Sequence, residues 1–492
     1  MQTHQRKTPM KRTKHALSYY KLLTCDMGKL IPIGLTEALP GDTIQQATSM
    51  LLRMSPMMAP VMHPVQIRVH HWFVPNRIIY PGWEDFITGG KDGLGSSVPY
   101  PTNTASVTPA QGSILDYFGL PIGRSMPIGA LSMLPVRAYN MIYNEFYRDQ
   151  DLAAEAATEN LTPHQVAWEK DYFTTARPWS QKGPAITLPL GTSAPVRSTS
   201  GKPLMSGGGV TDANITFNSG LTVAPGTPTI DSIMGWGSDT GLEADLSNAV
   251  PADIIDVRRA FALQRYQEAR AQYGSRYTEY LRYLGITPSD ARLQRPEFLG
   301  GGKQTISFSE VLKTGSGEDP AEPIGTMKGH GIAAMRSNRY RYYCEEHGYV
   351  LTLLSIRPKT IYTEGIPKTW SRRTKEDYFQ KELELIGQQE IYNRELYAAG
   401  TAADNEVFGY QDRYSDYRQS YSGVTGEFRD ILDYWHLARK FASLPVLNES
   451  FVACDPTKRV FAEQTQNSCW IQVQHKIQAR RMVSNNTMAR VI

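Results

Sequence analysis

Gly300-Gly-Gly-Lys-Gln-Thr305 is the stretch whose residue types come nearest to a phosphate-binding loop. That chemistry needs a glycine five residues ahead of the Gly-Lys pair and a Ser or Thr directly after the lysine. Those positions hold Glu297 and Gln304, so the pattern fails. The glycines read instead as a flexible turn leading into a strand at Thr305. His70-His71 offers two imidazoles, but adjacent residues on a strand point to opposite faces and cannot share a metal ion. One is expected to be a packed core histidine and the other to face a neighbour. Asp412, Asp416, Glu427 and Asp430 lie near Tyr410, Tyr414 and Tyr417 and are interleaved with Arg413, Arg418 and Arg429. They read as an ion-paired loop or a subunit contact in preference to an acid/base pair or a calcium site. No H-E-x-x-H, G-x-S-x-G or G-x-G-x-x-G occurs, so zinc-protease, hydrolase and dinucleotide chemistry lack a motif. Cys25, Cys344, Cys454 and Cys469 are scattered without a C-x-x-C pair, which suggests free thiols in a reducing compartment. No catalytic residue, metal ligand or cofactor is expected.

Arg258, Arg259, Arg265, Arg270, Arg276 and Arg282, with tyrosines between them, are the internal residues best suited to a polyanion. Guanidinium and phenol groups bind phosphate and stack on unpaired bases. They lie on a predicted helix, Asp253–Leu284, whose Ile254, Val257, Phe261, Tyr266, Ala269, Tyr273, Tyr277, Tyr280 and Leu284 form a stripe of three- and four-residue steps. The stripe reads as core, the arginines as a solvated or interfacial face, and Gly274 as a bend or break. A second helix is predicted over Met133–Tyr147, with Pro135 in the first turn, where proline is tolerated.

Strand patterns fall in three separated groups. In the first, Val65, Ile67, Val69, His71 and Phe73 alternate with Gln66, Arg68, His70, Trp72 and Val74 between Pro64 and Pro75, the pattern of a half-buried strand. Lys29–Leu35 and Thr48–Met54 accompany it. The second group holds Gln304–Leu312 and Tyr349–Arg357. The third is Ser468–Arg480, where Cys469, Ile471, Val473, His475, Ile477 and Ala479 alternate with Trp470, Gln472, Gln474, Lys476, Gln478 and Arg480. A half-buried strand so late in the chain must pair with something already formed. The economical arrangement joins the first and last groups in one sheet system, with the intervening segments hung on it as insertions.

Among 492 residues, 27 Tyr, 15 Phe and 8 Trp supply ample core and exclude disorder of the whole chain. A formal charge of +4 excludes a histone-like polycation. The ends differ from the average. Arg6, Lys7, Lys11, Arg12 and Lys14 precede the first acid, Asp26, and Arg480 and Arg481 follow the last, Glu463. Such tails meet nucleic acid or an acidic surface, or simply keep the ends soluble. No uncharged apolar run approaches the length of a membrane helix, so membrane insertion is not expected.

Several segments carry a resemblance. Trp83-Glu-Asp-Phe-Ile-Thr-Gly-Gly90, Leu17-Ser-Tyr-Tyr-Lys-Leu-Leu-Thr-Cys-Asp-Met-Gly28, Leu39-Pro-Gly-Asp-Thr43, Leu134-Pro-Val-Arg-Ala-Tyr-Asn140 and Ser289-Asp-Ala-Arg-Leu-Gln-Arg-Pro-Glu-Phe-Leu-Gly-Gly-Gly302 resemble, in order, blocks of the major capsid proteins of Microviridae, on the gokushovirus-like branch. Glu346-His-Gly-Tyr-Val350, Phe408-Gly-Tyr-Gln-Asp-Arg-Tyr414 and Asp433-Tyr-Trp-His-Leu-Ala-Arg439 are similar to later blocks. The resemblance implies a mainly β fold, an eight-stranded antiparallel jelly roll of the viral capsid type with long loop and helical insertions. It implies sixty copies in a T=1 shell around single-stranded DNA, assembled in a bacterial cytoplasm. A small basic DNA-packaging protein, a minor pilot-type capsid protein, an internal scaffolding protein and a host surface receptor are the implied partners. The domain reading is a basic arm over 1–27 and a single jelly-roll domain over 28–492. That domain includes a variable surface insertion at 178–251, where the branch builds threefold protrusions, and a helical insertion at 252–302. Arg6, Lys7, Lys11, Arg12, Lys14, Arg480 and Arg481 are the expected nucleic-acid contacts. Trp83, Phe86, Tyr410, Tyr414 and Trp435 are the expected subunit-packing residues. The alternative is a stand-alone single-stranded nucleic-acid-binding protein.

Overall fold

The computed structural model describes residues 12–91, 93–184, 186, 196–198, 204–207, 210–214, 233–235, 242–244, 254–274, 276–315 and 323–483. The chain divides into two compact units, Met1–Ser180 with Arg270–Ile492, and Gln181–Ala269. The larger unit is built on β1 (Thr13–Ala16), β2 (Tyr19–Cys25), β3 (Leu30–Ala38), β4 (Thr43–Met54), β5 (Val65–Pro75), β6 (Glu297–Thr305), β7 (Ser307–Leu312), β8 (Met327–Arg336), β9 (Tyr340–Tyr343), β10 (Gly348–Pro358) and β11 (Cys469–Arg481). One antiparallel sheet has the order β1-β11-β4-β8-β7, with β2 also on β11 and β9 also on β4. The other runs β6-β5-β10-β3. From β2 to β5 the chain alternates between the two sheets, and it does so again through β8, β10 and β11, in the manner of a jelly roll. Eight strand positions result if β1 with β2, and β8 with β9, each count as one interrupted strand, with β7 added at the edge.

The predicted union of first and last groups is the longest pairing among the described residues. β11 lies against β4 from Cys469↔Met54 to Arg480↔Thr43. Period-two alternation turns Met50, Leu52, Ile471 and Val473 inward, where they meet Ile67, Val69, Leu354 and Ile356 of the second sheet in one apolar core. The second sheet is buried on its other face too. There α1 (Leu134–Ile142), continued by a π turn over Tyr143–Tyr147, lays Leu134, Val136, Tyr139 and Ile142 over Trp72, Val74, Leu351 and Leu353. That double burial accounts for the buried residues on both faces of β10, where Val350 to Ile356 are all buried.

Four expectations need correction. Thr13–Ala16 and Tyr19–Cys25, expected within an arm over 1–27, are strands, because the free edge of β11 can satisfy their backbone and their alternation buries Cys25 beside Cys469. Residues 1–11 lie outside the described residues. The helical insertion ends earlier than 302, since Glu297–Thr305 is a strand of the second sheet. Its glycines are therefore not a flexible turn. A Cβ on Gly301 would stand 2.3 Å from the Val69 carbonyl oxygen, so this strand crosses β5 too closely for a side chain. The long helix breaks at Gly274, φ +98°, into α2 (Ile254–Tyr273) and α3 (Tyr277–Tyr283), but its aromatic stripe is not core. Phe261 is 70% exposed, and Ala271 is the only buried residue of α2.

In the smaller unit, the insertion expected at 178–251 falls largely outside the described residues. Of what is described, Val196–Ser198 pairs with Leu242–Ala244, and Leu204–Gly207 pairs with both Val210–Asn214 and Ile233–Gly235.

Candidate nucleic-acid interface

Among the described residues, the first sheet has a bare face. With alternate residues turned into the core, β4 presents Gln45, Ser49, Leu51 and Arg53 outward, and β11 presents Trp470, Gln472, Gln474, Lys476, Gln478 and Arg480. On the flanks stand Lys14 of β1, Tyr20 and Leu22 of β2, Arg336 of β8, and Arg341 and Tyr343 of β9. Of the cations on this face, Lys14, Arg53, Arg336, Arg341, Lys476 and Arg480 make no ion pair with a described residue. The strands of this sheet contain one acid, Glu310, which pairs with Gly329 on the inward parity. Among the described residues, no outward side chain of these strands is a carboxylate to offset the positive potential. Lys14 and Arg480 stand directly opposite one another across the β1–β11 ladder. Like charges in register destabilise a sheet, and a covering polyanion relieves that cost. From Thr43 to Met54 the track is roughly 40 Å long at the rise of an extended strand.

Aromatic rings interrupt the cations. Trp470 is 42% exposed, in register with Arg53 on one side and Thr24 on the other. The Gln474 amide donates to the Tyr20 hydroxyl at 2.8 Å. Exposed rings among guanidinium and ammonium groups are the combination that binds unpaired bases with their phosphates.

The expected nucleic-acid contacts divide. Arg6, Lys7 and Lys11 lie outside the described residues. Arg12 stacks over Tyr343 with its guanidinium carbon 5.1 Å from the ring centroid and donates to that hydroxyl at 3.2 Å. Lys14 and Arg480 are on the bare face. Arg481 is not, because the alternation turns it inward. Its Nε lies 2.9 Å from Oδ2 of the fully buried Asp42, and it also donates to the Glu37 carbonyl. Arg53, Arg336, Arg341, Lys476 and Trp470 were not among the expected contacts, although the alternation of Ser468–Arg480 already put Trp470, Lys476 and Arg480 on one face. Of the helix arginines, Arg258, Arg259 and Arg265 are exposed, whereas Arg276 donates to the carbonyls of Asn144 and Arg148 and is tied into the fold.

The expected packing residues also divide. Trp83 is half-buried among Tyr80, Phe86 and His347, with ring centroids 6.5, 5.7 and 5.4 Å away, and Phe86 forms the exposed rim of that cluster. Tyr410 is half-buried and exchanges backbone hydrogen bonds with Arg177. Trp435 is half-buried beside Phe428. Tyr414 is buried within its own chain. Its hydroxyl accepts from the Gln380 amide at 3.0 Å and donates to the Tyr378 carbonyl at 3.2 Å, so it has no surface to give a neighbouring copy. Of the four nearby acids, Asp416 is ion-paired, with Arg372 outside the cluster, and of the arginines Arg418 pairs outside it, with Glu384.

Beneath the bare face, the core carries a polar belt. His475 Nε2 donates to the Ile33 carbonyl at 3.1 Å, which leaves Nδ1 to accept from the Thr48 hydroxyl at 2.9 Å. His71 contacts the hydroxyls of Thr352 and Ser337 at 3.0 and 3.1 Å, while His70, on the opposite face as its position requires, meets the Tyr147 hydroxyl at 2.6 Å. Burial depresses His475 to about 4 and His71 to about 3, holding both neutral.

Comparison with known proteins gives one result. The family model described as capsid protein (F protein) matches residues 4–489. The chain is 35% identical to capsid protein VP1 of Bdellovibrio phage phiMH2K over 90% of its own length and 87% of the relative's. It is 31% identical to capsid protein VP1 of Chlamydia phage 1, covering 92% and 91%, and 31% identical to that of Spiroplasma virus 4, covering 90% and 88%.

Proposed function

The chain belongs to the capsid protein (F protein) family, and on that footing we propose that sixty copies close into a T=1 shell around single-stranded DNA with the bare face of the first sheet turned to the genome. The role is structural, and the protein is a component of the virion. One observation carries the orientation: the two sheets are treated unequally. The second is covered by α1 and its neighbours, whereas the strands of the first, among the described residues, turn several cations and no carboxylate outward. Elsewhere on the larger unit, Trp370, Leu385 and Ile431 project into solvent. Such apolar side chains, together with the Phe86 rim, suit burial against neighbouring copies.

Charge sets the limits of the DNA role. At +4 per chain, sixty copies bring roughly +240, small against a genome of thousands of phosphates. The shell therefore contacts DNA locally, and a small basic packaging protein or cations neutralise the remainder. A pilot-type minor protein, a scaffolding protein, assembly in the host cytoplasm, and a receptor met by threefold protrusions from the 178–251 insertion complete the reading.

Negative-stain imaging of the expressed chain, with measurement of enclosed DNA, tests it. Shells are expected, and changing Arg53, Lys476 and Arg480 together to Gln should leave shells that retain less DNA at moderate salt. A monomer that binds DNA tightly and never forms shells would sink the capsid reading in favour of a stand-alone binding protein.

A further inference from the structure

One end of the bare face is not flat. A cleft of about 770 Å³ opens there, floored by Trp470, with Leu51 and Arg53 of β4 on one side and Leu22 and Thr24 of β2 on the other. Gln111, Gly112 and Tyr117 form the opposite wall. The volume lies within the range of small-molecule sites. Its chemistry is two-sided. The indole, Leu22 and Leu51 give an apolar floor, all partly open to solvent, while Arg53 stands at the rim without an ion pair to any described residue. The Gln472 side chain, one step along from Trp470, makes no hydrogen bond to a described residue and has both its donor and its acceptor to offer. The cleft's one carboxylate, Asp116, is already engaged, accepting from the Gly112 amide at 2.8 Å. An aliphatic ligand would leave Arg53 and Gln472 unused, and a bare anion would leave the indole wet.

We propose that this cleft holds one unpaired base of single-stranded DNA, flat on Trp470, with its edge toward Gln472 and the adjoining phosphate toward Arg53. The proposal rests on the reading of this face as the genome side and adds a base-recognising point to a charged surface. Because every base has a π-face, the site tolerates any sequence but rejects a sugar-phosphate chain lacking bases.

The test compares a labelled short oligothymidylate with an abasic strand of the same length, by fluorescence polarisation, on the full-length chain released from shells. The base-bearing strand should bind about tenfold more tightly, the size of one base–aromatic stack. Trp470→Leu should abolish that difference and leave abasic binding unchanged. Trp470→Phe, which keeps a ring, should retain most of it and guards against a folding defect. Equal, salt-sensitive binding of both strands by the wild-type chain would overturn the base site and leave the genome-facing surface intact. A base preference that survives Trp470→Leu would overturn the site as well. No binding of either strand at low salt would overturn both readings.

Discussion

Acidification to about pH 5 should weaken the fold by about 6 kcal/mol through three histidines alone. His63, His71 and His475 are all buried, and desolvation is the largest cause holding them at about 4, 3 and 4 against an ordinary 6.5. The Lys359 and Ile33 carbonyls oppose it at His63 and His475, while neighbouring groups add to it: His436 and Arg459 at His63, His475 and His70 at His71, and Lys21 at His475. Below about pH 6.5 the unfolded chain takes up protons that the folded chain refuses until about pH 4, so stability falls with pH across that window and is unaffected above it. Each unit of separation is worth about 1.4 kcal/mol, so at pH 5 each histidine costs about 2 kcal/mol. Set against a typical total of about 5–15 kcal/mol, the loss brings the free chain close to unfolding. The window lies above the ordinary carboxylate range near 4, with burial raising Glu395 toward it. Denaturant midpoints of the unassembled chain, followed by tryptophan fluorescence between pH 7 and 5, measure the effect. His475→Gln should reduce the slope by about 1.4 kcal/mol per pH unit. A midpoint that stays constant from pH 6.5 to 5 would refute the reasoning.

Arg481→Gln should cost about 3–5 kcal/mol, because it strands the fully buried Asp42 carboxylate, and an unchanged unfolding midpoint would count against that pairing. Trp83→Ala should lower both chain stability and particle yield, the former by about 1–3 kcal/mol for a half-buried ring, whereas Phe86→Ala at the rim should lower yield with little change in melting. Phe261→Asp, on the exposed side of α2, should leave chain stability within about 0.5 kcal/mol of wild type and reduce particle yield by imaging; normal yield would show that the stripe has no partner in the shell.

Local alternation was legible. Val65–Val74 and Ser468–Arg480 carry their faces in their own residues, and the strands lie within a residue or two of their expected ends. The helix break at Gly274 was legible for the same reason. What sequence could not separate were signals with two physical causes. Gly300–Gly302 is compatible with a loose turn or with close strand crossing, and only the Val69 backbone decides between them. A tyrosine among charges, such as Tyr414, fits a surface as well as it fits a buried hydroxyl between two backbone groups. The bare face shows the limit most clearly. Lys14, Arg53, Arg341 and Lys476 are scattered along hundreds of residues, and their common field arises only when β1, β4, β9 and β11 lie side by side.

The position of β11 also fixes a timetable. It lies between the first two strands and β4, yet it leaves the ribosome after every other strand of both sheets. At typical synthesis rates, β1, β2 and β4 wait roughly 25–90 s for their central partner, with open edges that invite chaperones. A prematurely terminated chain lacks the strand that joins them and cannot build the first sheet. A chain that stops before β11 therefore has no completed first sheet from which contacts between copies could be built.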